Sequence, residues 1–186
     1  MSYRPITDVW FLARARLKGG RKYYGAYLGG FPERARVLIG CGLHEPMLHV
    51  CGGMAKHYPY DRGFGTRDET LDLDPATMPD FHRDARDPFP KDTARCPILK
   101  WGGILMDPPY SEQDAEKYTV GAMTYPSPNE LMRNAMAALP VGRKAGLIHY
   151  GLPACPKNAK FVACVGVMCG FNNRIRCFSV FEKTSE

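Results

Sequence analysis

The apolar residues of this chain gather in short runs rather than long stripes. Met47–Cys51, Thr70–Leu73, Gly103–Met106 and Ala145–His149 are each bordered by Gly, Pro or Asp. Runs of that length predict strands buried on both faces, although length alone does not separate them from pieces of buried helix. Between them the period lengthens. Ser127-Pro128-Asn129-Glu130 puts Ser at an N-cap, Pro at the first helical position and Glu at the third, which is a capping box. Leu131, Ala135 and Leu139, with Met132 and Met136, then recur at four-residue spacing until Pro140 stops the helix. Phe31-Pro32-Glu33 opens a second predicted helix, with Ala35, Leu38 and Ile39 on one side and Gly40 at its end, and Ser111–Tyr118 a short third.

Toward the C-terminus the pattern turns β-rich. Phe161–Met168 and Arg174–Phe181 are joined through Gly170-Phe171-Asn172-Asn173, and because Gly and Asn tolerate positive φ this predicts an antiparallel hairpin. Helices alternating with buried strands and closed by a hairpin predict an α/β fold around a mostly parallel sheet. In such sheets ligands bind beyond the carboxyl ends of the strands. Cys51-Gly52-Gly53, then Asp72 and Asp74, then Asp84, then Asp107 fall at four successive ends. One Gly pair or Asp there is as readily a turn or a helix cap; four in succession point to a site.

Composition narrows the class. At 186 residues the chain predicts one domain. Its 45% apolar and 24% charged residues exclude a disordered or fibrous protein. No apolar run approaches the ~18 residues needed to span a bilayer, and Arg4, Asp8, Arg14 and Arg16 interrupt the N-terminus where a signal peptide is apolar. A cytoplasmic protein with no membrane partner is expected. The seven cysteines lack any C-x-x-C pair and the five histidines are scattered, which predicts reduced thiols and no metal site.

Charge is distributed unevenly. Residues 1–40 carry a net +6, residues 41–140 a net −5 and residues 141–186 a net +5. Arg14, Arg16, Lys18, Arg21 and Lys22, interleaved with Trp10, Phe11, Tyr23 and Tyr24, make a basic N-terminal arm over residues 1–30. That composition meets phosphate and stacks on bases, and a solvated basic face accounts for it equally well.

The sharpest motif is Asp107-Pro108-Pro109-Tyr110, directly after the apolar run Gly103–Met106. Two prolines fix φ twice and remove two amide donors, so the backbone leaves the strand stiff and extended with its carbonyls available as acceptors. Here the chain resembles the S-adenosylmethionine-dependent amino-methyltransferases of the DNA adenine-N6 and cytosine-N4 type, whose signature is D/N-P-P-Y/F/W after the fourth sheet strand. The resemblance implies a Rossmann-like class I methyltransferase fold: a seven-stranded, mostly parallel sheet with a C-terminal antiparallel hairpin, forming a single domain with its catalytic core over residues 31–186. It implies S-adenosyl-L-methionine as cofactor. Asp107 and the Pro108 carbonyl would accept the two N–H bonds of an exocyclic amine, Tyr110 would stack on the base, and Pro109 with the basic arm would line the substrate side.

Other landmarks of the resemblance follow in order. Leu48-His49-Val50-Cys51-Gly52-Gly53 is similar to the Gly-rich motif that approaches the methionine part of the cofactor. Asp72, with Asp74 as second candidate, stands where the ribose hydroxyls are held, and Asp84-Ala85 where the adenine amine is met. Phe31-Pro32 resembles the segment that closes over the amino-acid end. Two features depart from the pattern: Met54-Ala55-Lys56-His57 follows the Gly pair, and Tyr58–Asp68 reads as loop where a helix is usual. Only 17 residues span Ser111 to Ser127, so sequence readout would fall to that loop, the arm, a recognition partner or a second copy of the chain. The implied function is methyl transfer to a nucleobase amine, adenine N6 in DNA first and an RNA base second. A non-catalytic nucleic-acid-binding module of the same fold is the third reading.

Overall fold

The short apolar runs become neighbouring strands of one sheet. The computed structural model describes residues 4–14, 27–57, 63–118, 125–170 and 172–186. Its strands are β1 (Ile6–Leu12), β2 (Met47–Val50), β3 (Glu69–Asp72), β4 (Phe81–His82), β5 (Gly103–Met106), β6 (Lys144–His149), β7 (Ala159–Cys169) and β8 (Asn172–Lys183). They lie in the order β1-β7-β8-β6-β5-β2-β3-β4. The block β6-β5-β2-β3-β4 is parallel throughout, and β8 runs antiparallel to both β6 and β7.

The sheet has eight described strands rather than the seven expected. The extra one, β1, comes from the stretch read as a basic arm, and it pairs in parallel with β7 from Ile6↔Ala163 to Leu12↔Cys169. Its side chains alternate: Trp10 and Leu12 are buried, whereas Val9 and Phe11 are 54% and 71% exposed. A half-buried edge strand is what that alternation specifies. Within the predicted arm, Ile6–Leu12 is thus part of the sheet.

Helix α1 (Phe31–Ile39) is bounded by two left-handed glycines, Gly30 and Gly40, and packs on β5 and β6. It sits close because Gly103 and Gly146 present no Cβ; one built there would lie 2.5 Å from Ile39 Cγ2 and 2.6 Å from the Phe178 ring, respectively. Helix α2 (Glu112–Ala115) is a single turn capped by Ser111. Helix α3 (Pro128–Ala138) has the predicted reciprocal cap, with Glu130 N donating to Ser127 Oγ at 3.2 Å and Ser127 N to the Glu130 carboxylate at 3.4 Å.

Two apolar layers cover the sheet. On one side Trp10, Phe31, Ile39 and Phe178 pack under α1; on the other Leu131, Ala135 and Met136 of α3 cover Ile104, Trp101 and Leu147. Between α1 and β2 lies a buried ionic cluster. The Arg36 guanidinium pairs with Asp68, donates from Nε to Gly63 O at 2.9 Å and from Nη1 to Gly42 O at 2.8 Å. Asp68 also accepts from Gly65 N at 2.7 Å and Met47 N at 3.1 Å, and meets His49 Nε2 at 3.0 Å. Burial alone would raise the Asp68 pKa, but the His49 and Arg36 partners outweigh it and hold the carboxyl below its ordinary value. This cluster fixes the loop at residues 63–68 beside the start of β2.

Candidate active site

The chain leaves β2 by a sharp turn. Cys51 has φ 52° and Gly53 φ 47°, so two residues of the Gly-rich turn occupy the left-handed region, the first without being glycine. The Cys51 amide donates to Leu71 O at 2.8 Å, which ties the turn to β3. A Cβ on Gly52 would lie 2.9 Å from His49 O, so only glycine fits there.

Asp72 closes β3 and is engaged with that turn. Its carboxylate accepts Gly53 N at 2.8 Å and Asp74 N at 2.9 Å. Burial raises its pKa, the two amides oppose the rise, and Asp74 adds to it. Asp74 caps the 3₁₀ turn Pro75–Thr77 through a 2.9 Å bond from Ala76 N. Asp84, after β4, is clamped by Arg86, whose Nε lies 3.0 Å from Oδ2, and this bond holds the Asp84 pKa below its ordinary value. Ala85 is buried, and its carbonyl accepts from Asn134 Nδ2 at 3.3 Å. The same amide reaches Arg86 O at 3.1 Å and Asp87 O at 3.0 Å, so α3 pins the loop that carries Asp84.

Asp107 leaves β5 with its amide donating to Val50 O at 3.2 Å. Pro108 is buried, and Pro109 and Tyr110 are half-buried. The Tyr110 hydroxyl donates to Asp107 Oδ1 at 2.7 Å. Burial pushes the Asp107 carboxyl up to about 7, against the opposing pull of the Tyr110 hydroxyl and the Arg176 charge. These carboxylates stand at neighbouring strand ends: β3, β2 and β5 pair side by side in parallel, with Asp72 closing β3, Cys51 following β2 and Asp107 following β5. Burial holds the Cys51 thiol well above its ordinary pKa, and the charges of Asp72, Asp107 and Asp84 add to the rise. The result is an acidic cup floored by the Gly-rich turn, suited to an electropositive group.

Three side chains outside the predicted set complete the rim. The edge of His149, at the end of β6, meets Tyr110 at 5.5 Å and 84° between ring planes; Tyr150 lies 4.7 Å from Tyr110, and the Arg176 guanidinium 5.3 Å from its centroid. Burial lowers the His149 pKa, which keeps the ring neutral. His149 and Arg176 were hidden inside segments read as strands, and only their place at the carboxyl end of the sheet could have singled them out.

Other predicted site residues fall elsewhere. Phe31 is fully buried against Trp10, Tyr27 and Phe178, and Pro32 is buried beside it. These two pack in the core at the start of α1, where Phe31 is the first helical residue. Arg14 is exposed just past β1, while Arg16, Lys18, Arg21 and Lys22 lie outside the described residues.

The sheet order is that of the class I methyltransferase fold, and comparison with solved structures agrees. The chain matches TrmN from Thermus thermophilus over 86% of its own length and 50% of that protein, with a TM-score of 0.59 and 17% identity. It matches yhhF from Escherichia coli over 94% of its length and 99% of that protein, with a TM-score of 0.55 and 12% identity. A Listeria monocytogenes protein assigned to the class I S-adenosylmethionine-dependent methyltransferases gives a TM-score of 0.54 at 10% identity, covering 90% of this chain and 64% of that one. The chain thus spans half the length of TrmN, and at these identities the likeness is one of fold. No protein-family profile and no curated protein sequence matches it.

Proposed function

We propose that the chain transfers a methyl group from S-adenosyl-L-methionine to an exocyclic amine of a nucleobase, with adenine N6 of DNA the favoured acceptor and an RNA base the second reading. The observation that carries this is the juxtaposition of the rigid Asp107–Tyr110 corner with the carboxylate cup around Cys51.

The cup fits the cofactor. A positively charged sulfonium is favoured where Asp72, Asp84 and Asp107 converge, and the Cβ-less turn at Gly52-Gly53 lets backbone approach the ligand. Asp72 would take the ribose hydroxyls on lone pairs left by its two amide bonds, and Asp84 would accept from the adenine amine. Asp74, which caps a turn, is the weaker candidate. When bound, the cofactor supplies an electrophilic methyl group on a cationic sulfur.

The chain's own residues then act on the amine. An exocyclic amine is a poor nucleophile because its lone pair is delocalised into the ring. Asp107 and the Pro108 carbonyl accept its two N–H bonds, draw it toward tetrahedral geometry and leave the lone pair exposed. Charge-assisted acceptors are roughly twice as strong as neutral ones, and they gain strength as the nitrogen turns positive. A carboxyl titrating near 7 also holds the proton that the amine sheds on alkylation. Purified protein with methyl-labelled cofactor and DNA, RNA or protein, with Asp107→Ala as control, tests this. Label on DNA that the variant abolishes is expected. Label on RNA alone promotes the second reading, and cofactor binding without transfer leaves a nucleic-acid-binding module.

A further inference from the structure

Two arginines in this protein contrast sharply. Every nitrogen of Arg36 has an acceptor: Nε on Gly63 O, Nη1 on Gly42 O and Nη2 on Asp68. Arg176, at the start of β8, has Nε and Nη1 buried with no hydrogen-bond partner among the described residues. Burying donors without an acceptor forfeits their hydration, so native structures rarely tolerate it away from functional sites. The same holds beside it. His149 Nδ1 accepts from Gly151 N at 3.0 Å, which assigns the ring proton to Nε2, and Nε2 is likewise buried without a partner.

These unmatched donors border the same ring. The Arg176 guanidinium lies over Tyr110 and the His149 edge meets it, while Asp107 holds the Tyr110 hydroxyl. Around Tyr110 the site therefore presents acceptors on the Asp107 side and unmatched donors on the Arg176 and His149 side. A ligand complementary to both has an amine on one edge and lone pairs on another. Adenine, guanine and cytosine have both, with ring nitrogens or carbonyl oxygens a few bonds from the exocyclic amine.

We propose that Arg176 and His149 form the donor wall of the target-base pocket, giving N–H groups to acceptor atoms of the same ring whose amine Asp107 takes. This rests on the reading of Asp107–Tyr110 as the amine-binding corner. It adds two binding residues to it and makes the identity of the base depend on β6 and β8, not only on the Asp107 motif.

The test is equilibrium binding, which needs no turnover. Short single-stranded oligonucleotides carry one central adenine or its 1-, 3- or 7-deaza form, each of which lacks one ring-nitrogen acceptor. Wild-type protein is expected to bind one deaza form about tenfold more weakly than its parent. Arg176→Met, which keeps the volume, and Arg176→Lys, which keeps the charge, are expected to bind both forms equally weakly. That non-additivity identifies a direct contact. A wild type indifferent to every deaza substitution, or variants that keep the full discrimination, would overturn the proposal. If the base discrimination appears and no methyl transfer does, the binding wall stands and the proposed reaction fails. Transfer without discrimination gives the reverse.

Discussion

Tyr110 and Asp107 are joined by a 2.7 Å hydrogen bond, so the residue expected to stack on the base also steadies the residue expected to receive its amine. This bond opposes the burial that leaves the carboxyl pKa raised to about 7. Removing it in Tyr110→Phe withdraws support from the ionised form, so the Asp107 pKa rises further. The acid limb of kcat/KM, set by deprotonation of Asp107, then moves to higher pH. A pH–rate profile of the two proteins reads the shift, and superimposable profiles would remove Asp107 as the titrating group.

Asp107 also makes stability depend on pH in an unusual direction. Its folded pKa lies above the model-peptide 3.8, so ionisation is disfavoured in the native state. The penalty is absent below about pH 4, grows as pH rises toward about 7 and is constant above. Asp107→Asn removes it. Denaturant unfolding is expected to show the variant more stable than wild type at pH 8 by about 2–4 kcal/mol, with the gap closing near pH 4. The same variant is expected to lose methyl transfer by about 10²–10³-fold, the scale for deleting one preorganised transition-state contact.

The opposite sign is expected at Asp68. Its pKa is held down in the folded protein by His49 and Arg36. Its stabilisation is present above the unfolded carboxylate pKa and lost as pH falls through the lower folded value. Asp68→Ala leaves Arg36 buried without its partner and is expected to destabilise by about 3–5 kcal/mol at neutral pH, measured by urea unfolding.

Gly52 tests the turn beneath the cup. A methyl group there would press on His49 O at 2.9 Å and on Thr70 Cγ2 at 3.1 Å. Gly52→Ala is expected to cost about 1–3 kcal/mol in unfolding free energy through overpacking. Calorimetric cofactor titration of the same variant is expected to show weakened binding, because the turn must shift outward into the cup. Unchanged affinity would place the cofactor elsewhere.

Most of the sheet was legible because its strands are buried on both faces, so Met47–Val50, Gly103–Met106 and Ala145–His149 stand out as short, mostly apolar runs. The capping box at Ser127 was legible because it is local. β1 was not: only Trp10 and Leu12 turn inward, and its partner β7 lies about 150 residues away in sequence. The Asp107 corner announced itself through two prolines, and the carboxylates through their places after strands. The role of Phe31 was not legible, because an aromatic at a helix start looks the same in sequence whether it covers a ligand or fills a core. His149 and Arg176 carried no local signal, since their role arises only where β6 and β8 bring them to Tyr110.

Nucleoside mass analysis of DNA and RNA after incubation with the protein and S-adenosyl-L-methionine identifies the atom that receives the methyl group. A base methylated on its exocyclic nitrogen is expected, and is expected to be absent when Asp107→Ala replaces the wild type. Methylation at a ring carbon, a ring nitrogen or a ribose oxygen would contradict that expectation.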